Sequence, residues 1–249
     1  MNRLSIGVQS TVPQELVVLG RDHRFGDGPA AVGRALAAGF TVSADFILGT
    51  PTGEPGRIPE VFDDADHLSV YELTIEERTA FGKRARDGRL VPRGEDELES
   101  LYVATHEALA AKGFEHYEIS SYARPGKRAV HNSLYWRGAP FLGLGVGAAS
   151  LAVAPDGSGE RSTNPRGVAD YLGGAPAEVV AIEAAEMACD RAWLGMRTAD
   201  GVAEADLPAG VVTWALAEGL AERRSDRICP TLRGFLMADR IAARIVQAL

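Results

Sequence analysis

Cysteine is scarce in this chain: Cys189 and Cys229 are the two thiols in 249 residues, 40 positions apart. One falls in a helical pattern and the other in a strand-like one, so a disulfide framework is not expected. A thiolate-held metal cluster is not expected either, since it needs three or four cysteines at close spacing. Both thiols read as buried structural cysteines. Long apolar runs are missing too. No stretch of about 18 apolar residues occurs, so no membrane span is expected. Met1-Asn2-Arg3-Leu4 leads straight into a strand-like run without an apolar leader core, and a cytoplasmic protein is expected. Positive charge is outweighed: 26 Lys and Arg stand against 34 Asp and Glu, a net charge of −8, which argues against a nucleic-acid partner.

What remains is an ordinary globular composition, 46% apolar and 24% charged. The length suits one large domain or two small ones. The first ninety residues alternate between strand and helix patterns, which predicts a parallel α/β sheet or barrel. Residues 4–8 form an apolar run ending at Gln9. Residues 13–19 read as a helix with Pro13 in the first turn, and 29–38 as a helix stopped by Gly39. Residues 40–48 alternate with period two, 57–67 read as a helix, and 68–73 as the next strand. The clearest helix is 94–113, closed by Gly113. A short strand at 117–119 follows, then an Arg/Gly/Pro/aromatic segment at 121–142 that reads as an ordered loop. Residues 155–159 read as a hairpin tip. Residues 178–249 read helix, helix, short strand, helix. Trp193, Leu194, Met196, Trp214, Leu216 and Leu220 are core candidates there, with Phe235, Ile241, Ile245 and Leu249 on one stripe of the last helix.

In parallel α/β folds ligands gather at the C-terminal ends of strands. Gln9 ends the first strand, Arg21 and His23 follow the next helix, and Asp45 lies in the second strand. An amide, a guanidinium and a carboxylate suit a ligand with hydroxyl, carboxylate and amine groups. The same three residues can equally be structural or solvent-facing. Gly143, Gly145 and Gly147 lack a preceding strand and a following acidic residue, so tight turns explain them better than a dinucleotide loop.

The richest stretch is His131-Asn132-Ser133-Leu134-Tyr135-Trp136-Arg137-Gly138. It follows Tyr117-Glu118-Ile119-Ser120-Ser121-Tyr122-Ala123-Arg124-Pro125-Gly126. A neutral imidazole is a common axial ligand of heme iron, so His131 is a heme candidate, with Tyr135 and Trp136 covering a porphyrin face. Arg124, Lys127, Arg128 and Arg137 can meet propionates. The plainer alternative is a His-Asn pair that satisfies backbone groups beside aromatics that simply pack. His23, His67, His106 and His116 stand second to His131 as ligand candidates.

This ordered series resembles the HemW-type heme chaperones and oxygen-independent coproporphyrinogen III oxidase, both of the radical S-adenosylmethionine superfamily. Residues 2–10, Leu19-Gly20-Arg21 with His23, Asp45-Phe46-Ile47 with Gly49 and Pro51, and Ser69-Val70-Tyr71 with Leu73-Thr74 and Glu76 resemble the fourth to sixth strand regions of the family's barrel. The resemblance implies that Gln9, Arg21 and Asp45 contact S-adenosylmethionine. It implies half of a radical-SAM-type, TIM-like barrel with its extension over 1–172 and a helical, winged-helix-like domain over 173–249. The family's Cys-x-x-x-Cys-x-x-Cys is not in this sequence, and its usual histidine after Gly-Ala is Ala149 here. The implied cofactors are heme, plus S-adenosylmethionine and a [4Fe-4S] cluster that a missing N-terminal half would supply. The expected partners are heme or porphyrin, heme-recipient proteins and a separate N-terminal half. A truncated product, a mis-started frame or one half of a split protein are the expectations for the chain's start. The leading function is a heme chaperone. The alternatives are an oxidase that decarboxylates porphyrinogen propionates and a non-catalytic remnant, the latter suggested by Ala149 and the altered loop 49–54.

Overall fold

A computed structural model describes residues 2–52 and 63–248. The chain divides into two compact units, Met1–Arg128 and Ala129–Leu249. The boundary expected at 172/173 falls inside the second unit. Among the described residues no helix is long and apolar enough to cross a membrane.

The first unit contains β1 (Arg3–Gln9), α1 (Pro13–Val18), α2 (Asp27–Ala37), β2 (Thr41–Leu48), β3 (His67–Glu72), α3 (Ala80–Arg86), α4 (Glu95–Ala111), β4 (Glu115–Glu118) and β5 (Ser121–Ala123). The strands form one sheet in the order β1-β2-β3-β5-β4. β1, β2 and β3 are parallel, while β5 runs antiparallel to both β3 and β4. Among the described residues the sheet is open, with β1 and β4 at its edges. The fold is therefore mixed α/β. The helix expected over 57–67 lies mostly outside the described residues, and His67 is the first residue of β3.

Alternation within the strands sorts the two faces of this sheet. Val8, Val42, Ala44, Leu68 and Tyr122 point to one side, where Val32 and Ala35 of α2 and Leu109 of α4 complete an apolar core. α4 forms because Glu95, Asp96 and Glu97 complement the positive end of its dipole, and it stops before Gly113, at φ 80°. The opposite face carries Ser5, Ser43, Asp45, His67 and Ser69, brought side by side by the register Ser5↔Ser43↔His67 and Asp45↔Ser69. Parallel sheets are ordinarily apolar on both faces, so this polar face is the candidate site.

The second unit contains α5 (Val130–Trp136), β6 (Ala149–Val153), β7 (Gly159–Thr163), α6 (Val168–Leu172), β8 (Glu178–Ile182), α7 (Ala184–Gly195), β9 (Val202–Ala203), α8 (Ala209–Ala217), β10 (Ala221–Arg224), β11 (Arg227–Pro230), α9 (Leu232–Leu236) and α10 (Ala238–Ala248). Two antiparallel sheets form, β6-β7-β8 and β10-β11-β9. Several expectations are corrected. Residues 121–142 are not one loop: β5 and helix α5 lie within them. Residues 178–182 are a strand, since Val179 and Val180 favour extended backbone. The single strand expected near 229 is a hairpin whose tip holds Ser225 at φ 57°. The last helix is split at Met237 into α9 and α10. Met196, Leu220, Ile241 and Ile245 are fully buried in this unit's core, while Trp193, Trp214 and Leu216 line its margin. Both cysteines are free thiols, and Cys229 is buried as expected; Cys189 is only half-buried because it lies at the margin of that core.

Candidate functional site

Asp45 sits at the middle of the polar face. Its Oδ2 accepts from Ser5 Oγ at 2.6 Å and its Oδ1 from Ser43 Oγ at 3.2 Å. Ser43 Oγ lies 2.8 Å from His67 Nδ1, and His67 Nε2 lies 2.8 Å from Tyr117 Oη. The His67 and Tyr117 rings meet edge to face at 5.6 Å. His67 and Tyr117 are buried, and burial pushes the His67 imidazole from 6.5 down to about 3, helped by the charge of Arg3.

Gln9 ends β1 with φ 69°, the left-handed region that non-glycine residues rarely adopt. The strand register shifts between Gly7 and Gln9, so the chain turns at a bulge. The Gln9 side chain folds back over Gly7: a methyl at Gly7 would collide with Nε2 of Gln9. Gly7 is the register partner of Asp45, which brings the Gln9 amide and the Asp45 carboxylate to one region of the polar face. Arg21 is not drawn in. It is exposed after α1, its backbone N–H donating to Leu16 at 3.0 Å. His23 lies closer, its Nε2 3.2 Å from the Val8 carbonyl.

Beyond the strand ends, Glu15 is buried and accepts from Ser10 Oγ and, at 3.1 Å, from Thr52 Oγ1. Arg93 holds the same loop, with Nε donating to the Thr50 carbonyl at 2.9 Å and Nη2 to that of Thr52. Among the described residues the buried Thr50 Oγ1 has no hydrogen-bond partner. A cavity of about 40 Å³ opens here, lined by Gln9, Ser10, Glu15, Phe46, Leu68 and Val70 among others. Phe46, Leu68 and Val70 give this water-sized space an apolar wall from the core side of the sheet, and Gln9 lines its polar end. The Asp45 carboxylate and the Gln9 amide are polar groups of the kind that meet a ligand bearing hydroxyl and amine groups. A [4Fe-4S] cluster does not fit: among the described residues no group of three or more His, Cys, Asp or Glu could hold a metal ion.

The remaining first-unit histidines lie on the α4 side of the sheet. His116 stacks on Tyr122 at 4.3 Å and stands 5.4 Å from His106. Burial and the neighbouring His106 lower His116 to about 4. The buried carboxyl of Glu118 is raised by desolvation, and burial raises the Tyr102 and Tyr122 hydroxyls.

In the second unit, α5 exposes His131 and Tyr135 one turn apart, their rings edge to face at 4.9 Å. Tyr135 continues the contact to Phe141 at 4.6 Å. The His131 ring nitrogens make no hydrogen bond among the described residues, and Trp136 is half-buried at the helix end. The four cations of the propionate expectation are engaged within their own units. Arg124 donates to the Lys112 and Asp63 carbonyls, Lys127 pairs with Asp66 at 3.1 Å, Arg128 with Glu115 at 3.6 Å and Arg137 with Asp200 at 3.9 Å. Gly143 packs against the Ala149 carbonyl, where a methyl would not fit, so packing accounts for one glycine of that loop. Ala149 opens β6 and is exposed.

Sequence reasoning passed over Ser43, Glu15 and Tyr117 and ranked His67 low. The available signal was polar residues two apart in strands otherwise apolar: Ser43 with Asp45, and His67 with Ser69.

The mixed α/β fold is similar to that of coproporphyrinogen III oxidase (HemN) from Escherichia coli, described as a radical SAM enzyme. That structure matches with a TM-score of 0.72 at 18% identity, over 100% of this chain and 65% of that one. Heme chaperone HemW of Mycobacterium tuberculosis (strain ATCC 25618 / H37Rv) is 34% identical over 98% of this chain and 65% of its own length. Heme chaperone HemW of Escherichia coli (strain K12) is 37% identical over 70% of this chain and 47% of its own. Radical S-adenosyl methionine domain-containing protein 1, mitochondrial, of Mus musculus is 36% identical over 67% and 39%. The chain thus spans about 65% or less of the length of these relatives. No family model matches the sequence. The chain belongs to the HemW/HemN-like radical S-adenosylmethionine family.

Proposed function

We propose that the chain is the heme-handling part of a HemW-type heme chaperone, in which His131 offers an axial imidazole and Tyr135 and Trp136 cover a porphyrin face. The observation that carries this reading is the His131 side chain itself. It is exposed, free of hydrogen bonds among the described residues, and oriented by Tyr135 one helical turn on. In the first unit, Asp45 and Gln9 are the residues toward S-adenosylmethionine, with the carboxylate suited to its hydroxyls or amine. Arg21, exposed after α1, is the third residue of this reading. Residues 1–172 correspond to half of a radical-SAM-type barrel with its extension, and residues 173–249 to a winged-helix-like domain. A [4Fe-4S] cluster, which would supply the electron for radical chemistry, is held by polypeptide other than these residues. Heme-recipient proteins are the partners of this reading.

The match to coproporphyrinogen III oxidase favours a second reading, an oxidase acting on porphyrinogen propionates. Heme titration and coproporphyrinogen III turnover, measured on protein isolated anaerobically from its native cells, separate the two. Stoichiometric heme binding and transfer without turnover is the expected result. Turnover without stable heme binding contradicts the chaperone reading, and neither activity contradicts both.

A further inference from the structure

The polar contacts around Asp45 have a direction that neutral side chains fix. An ionised carboxylate only accepts hydrogen bonds. The Ser43 hydroxyl has one proton, and donating it to Asp45 Oδ1 leaves Ser43 Oγ as the acceptor toward His67. A neutral imidazole has one donor and one acceptor nitrogen. If Nδ1–H donates to Ser43, Nε2 is bare and accepts from the Tyr117 hydroxyl. All four groups lie on the same sheet, one each from β4 and β3 and two from β2. Ser5, from β1, holds the other carboxylate oxygen at 2.6 Å.

We propose that Tyr117, His67 and Ser43 form a one-way hydrogen-bond chain of positioning residues that fixes the orientation of the Asp45 carboxylate on the polar sheet face. Polarised chains strengthen each member where the local dielectric is low. Here Ser43, His67 and Tyr117 are buried, while Asp45 is half-buried. Two oxygens tied to Ser5 and Ser43 cannot rotate, so the remaining lone pairs keep one aim. The role of the aimed carboxylate rests on the reading of Asp45 as a residue toward S-adenosylmethionine. The tautomer of His67 does not rest on it. The low proton affinity that burial gives His67 keeps the ring neutral through the physiological range, as the chain requires.

The test uses the full chain, labelled with ¹⁵N-histidine, and S-adenosylmethionine as the probe. Two-bond proton–nitrogen correlations are expected to show His67 protonated at Nδ1 and bare at Nε2. An Nε2-protonated or charged ring overturns the chain. Calorimetric titration is expected to show S-adenosylmethionine binding weakened about tenfold or more by Asp45→Asn, the scale of a charge-assisted hydrogen bond. Tyr117→Phe and His67→Gln are expected to weaken it by a smaller factor, with His67→Asn, whose amide can keep the donor at the Nδ1 position, restoring part of the loss. Binding that is unchanged in Asp45→Asn, or absent in the unaltered protein, overturns the ligand reading alone and leaves the tautomer to decide the chain. Binding lost in Asp45→Asn but unchanged in Tyr117→Phe and His67→Gln overturns the chain alone.

Discussion

The side-chain amide of Gln9 occupies the space that a side chain at Gly7 would fill. The glycine and the glutamine are therefore one device: a strand residue without a Cβ lets a left-handed residue two positions on lay its amide back along the sheet, beside Asp45. Gly7→Ala should push the Gln9 amide, the far end of a flexible side chain, off the sheet and cost about 0.5–1.5 kcal/mol, the range for a displaced rotamer. Gly33→Ala is the control. Gly33 lies in α2 with nothing within 4 Å of an added methyl, so this change should stabilise by about 0.4–1 kcal/mol. Urea denaturation of both variants checks the pair, and equal effects would contradict the packing of Gln9 on Gly7.

Arg93 ties the loop after β2 through a planar fork that lysine cannot copy. Its side chain is 8% exposed, and its nitrogens reach the Thr50 and Thr52 carbonyls and Glu97. Arg93→Lys should lower stability by about 1.5–3 kcal/mol, because backbone acceptors lose charged donors. Thermal denaturation measures this, and an unchanged midpoint would contradict the clamp.

Acid should destabilise the first unit before its surface carboxylates are reached. His67 and His116 have folded-state values near 3 and near 4, below the ordinary 6.5. The unfolded chain therefore binds more protons between those values and 6.5, so stability is full above pH 6.5 and is lost as pH falls toward 4. Glu118 acts in the opposite sense, since its raised value favours the folded state at low pH. His106 is lowered as well, so three histidines stand against one carboxyl and the net effect of falling pH is a loss of stability. Urea midpoints at pH 7 and pH 5 should differ in the unaltered protein and differ less in His67→Gln. A difference as large in the variant would remove His67 from the account.

Much of this fold was legible because periodicity is a local property. The alternation in residues 40–48 and the capped amphipathic run at 94–113 appear as β2 and α4. The short helix α5 was hidden by its flanks, since Pro125-Gly126 and Gly138 read as loop chemistry on either side of seven helical residues. Strand β8 was hidden because a four-residue apolar run, Val179 to Ile182, does not separate strand from helix. At the site, Gln9 was singled out at the end of β1 and Asp45 inside β2. The Tyr117–His67–Ser43 contacts were not, because they depend on strand order and register: β4 and β3 are joined only through β5. Glu15 was missed for a similar reason, its burial arising from Ser10 and a loop 37 positions away in the chain.

The heme assignment rests on one imidazole, and spectroscopic titration tests it most directly. Heme is added to the unaltered protein and to His131→Ala, and binding is followed at the Soret band. The expected result is a saturable, one-to-one spectrum of nitrogen-ligated heme in the unaltered protein. In His131→Ala the affinity should fall by about tenfold or more, equivalent to about 1.4 kcal/mol, and the ligand spectrum should change. Identical affinity and an identical spectrum in the two proteins would contradict axial ligation by His131.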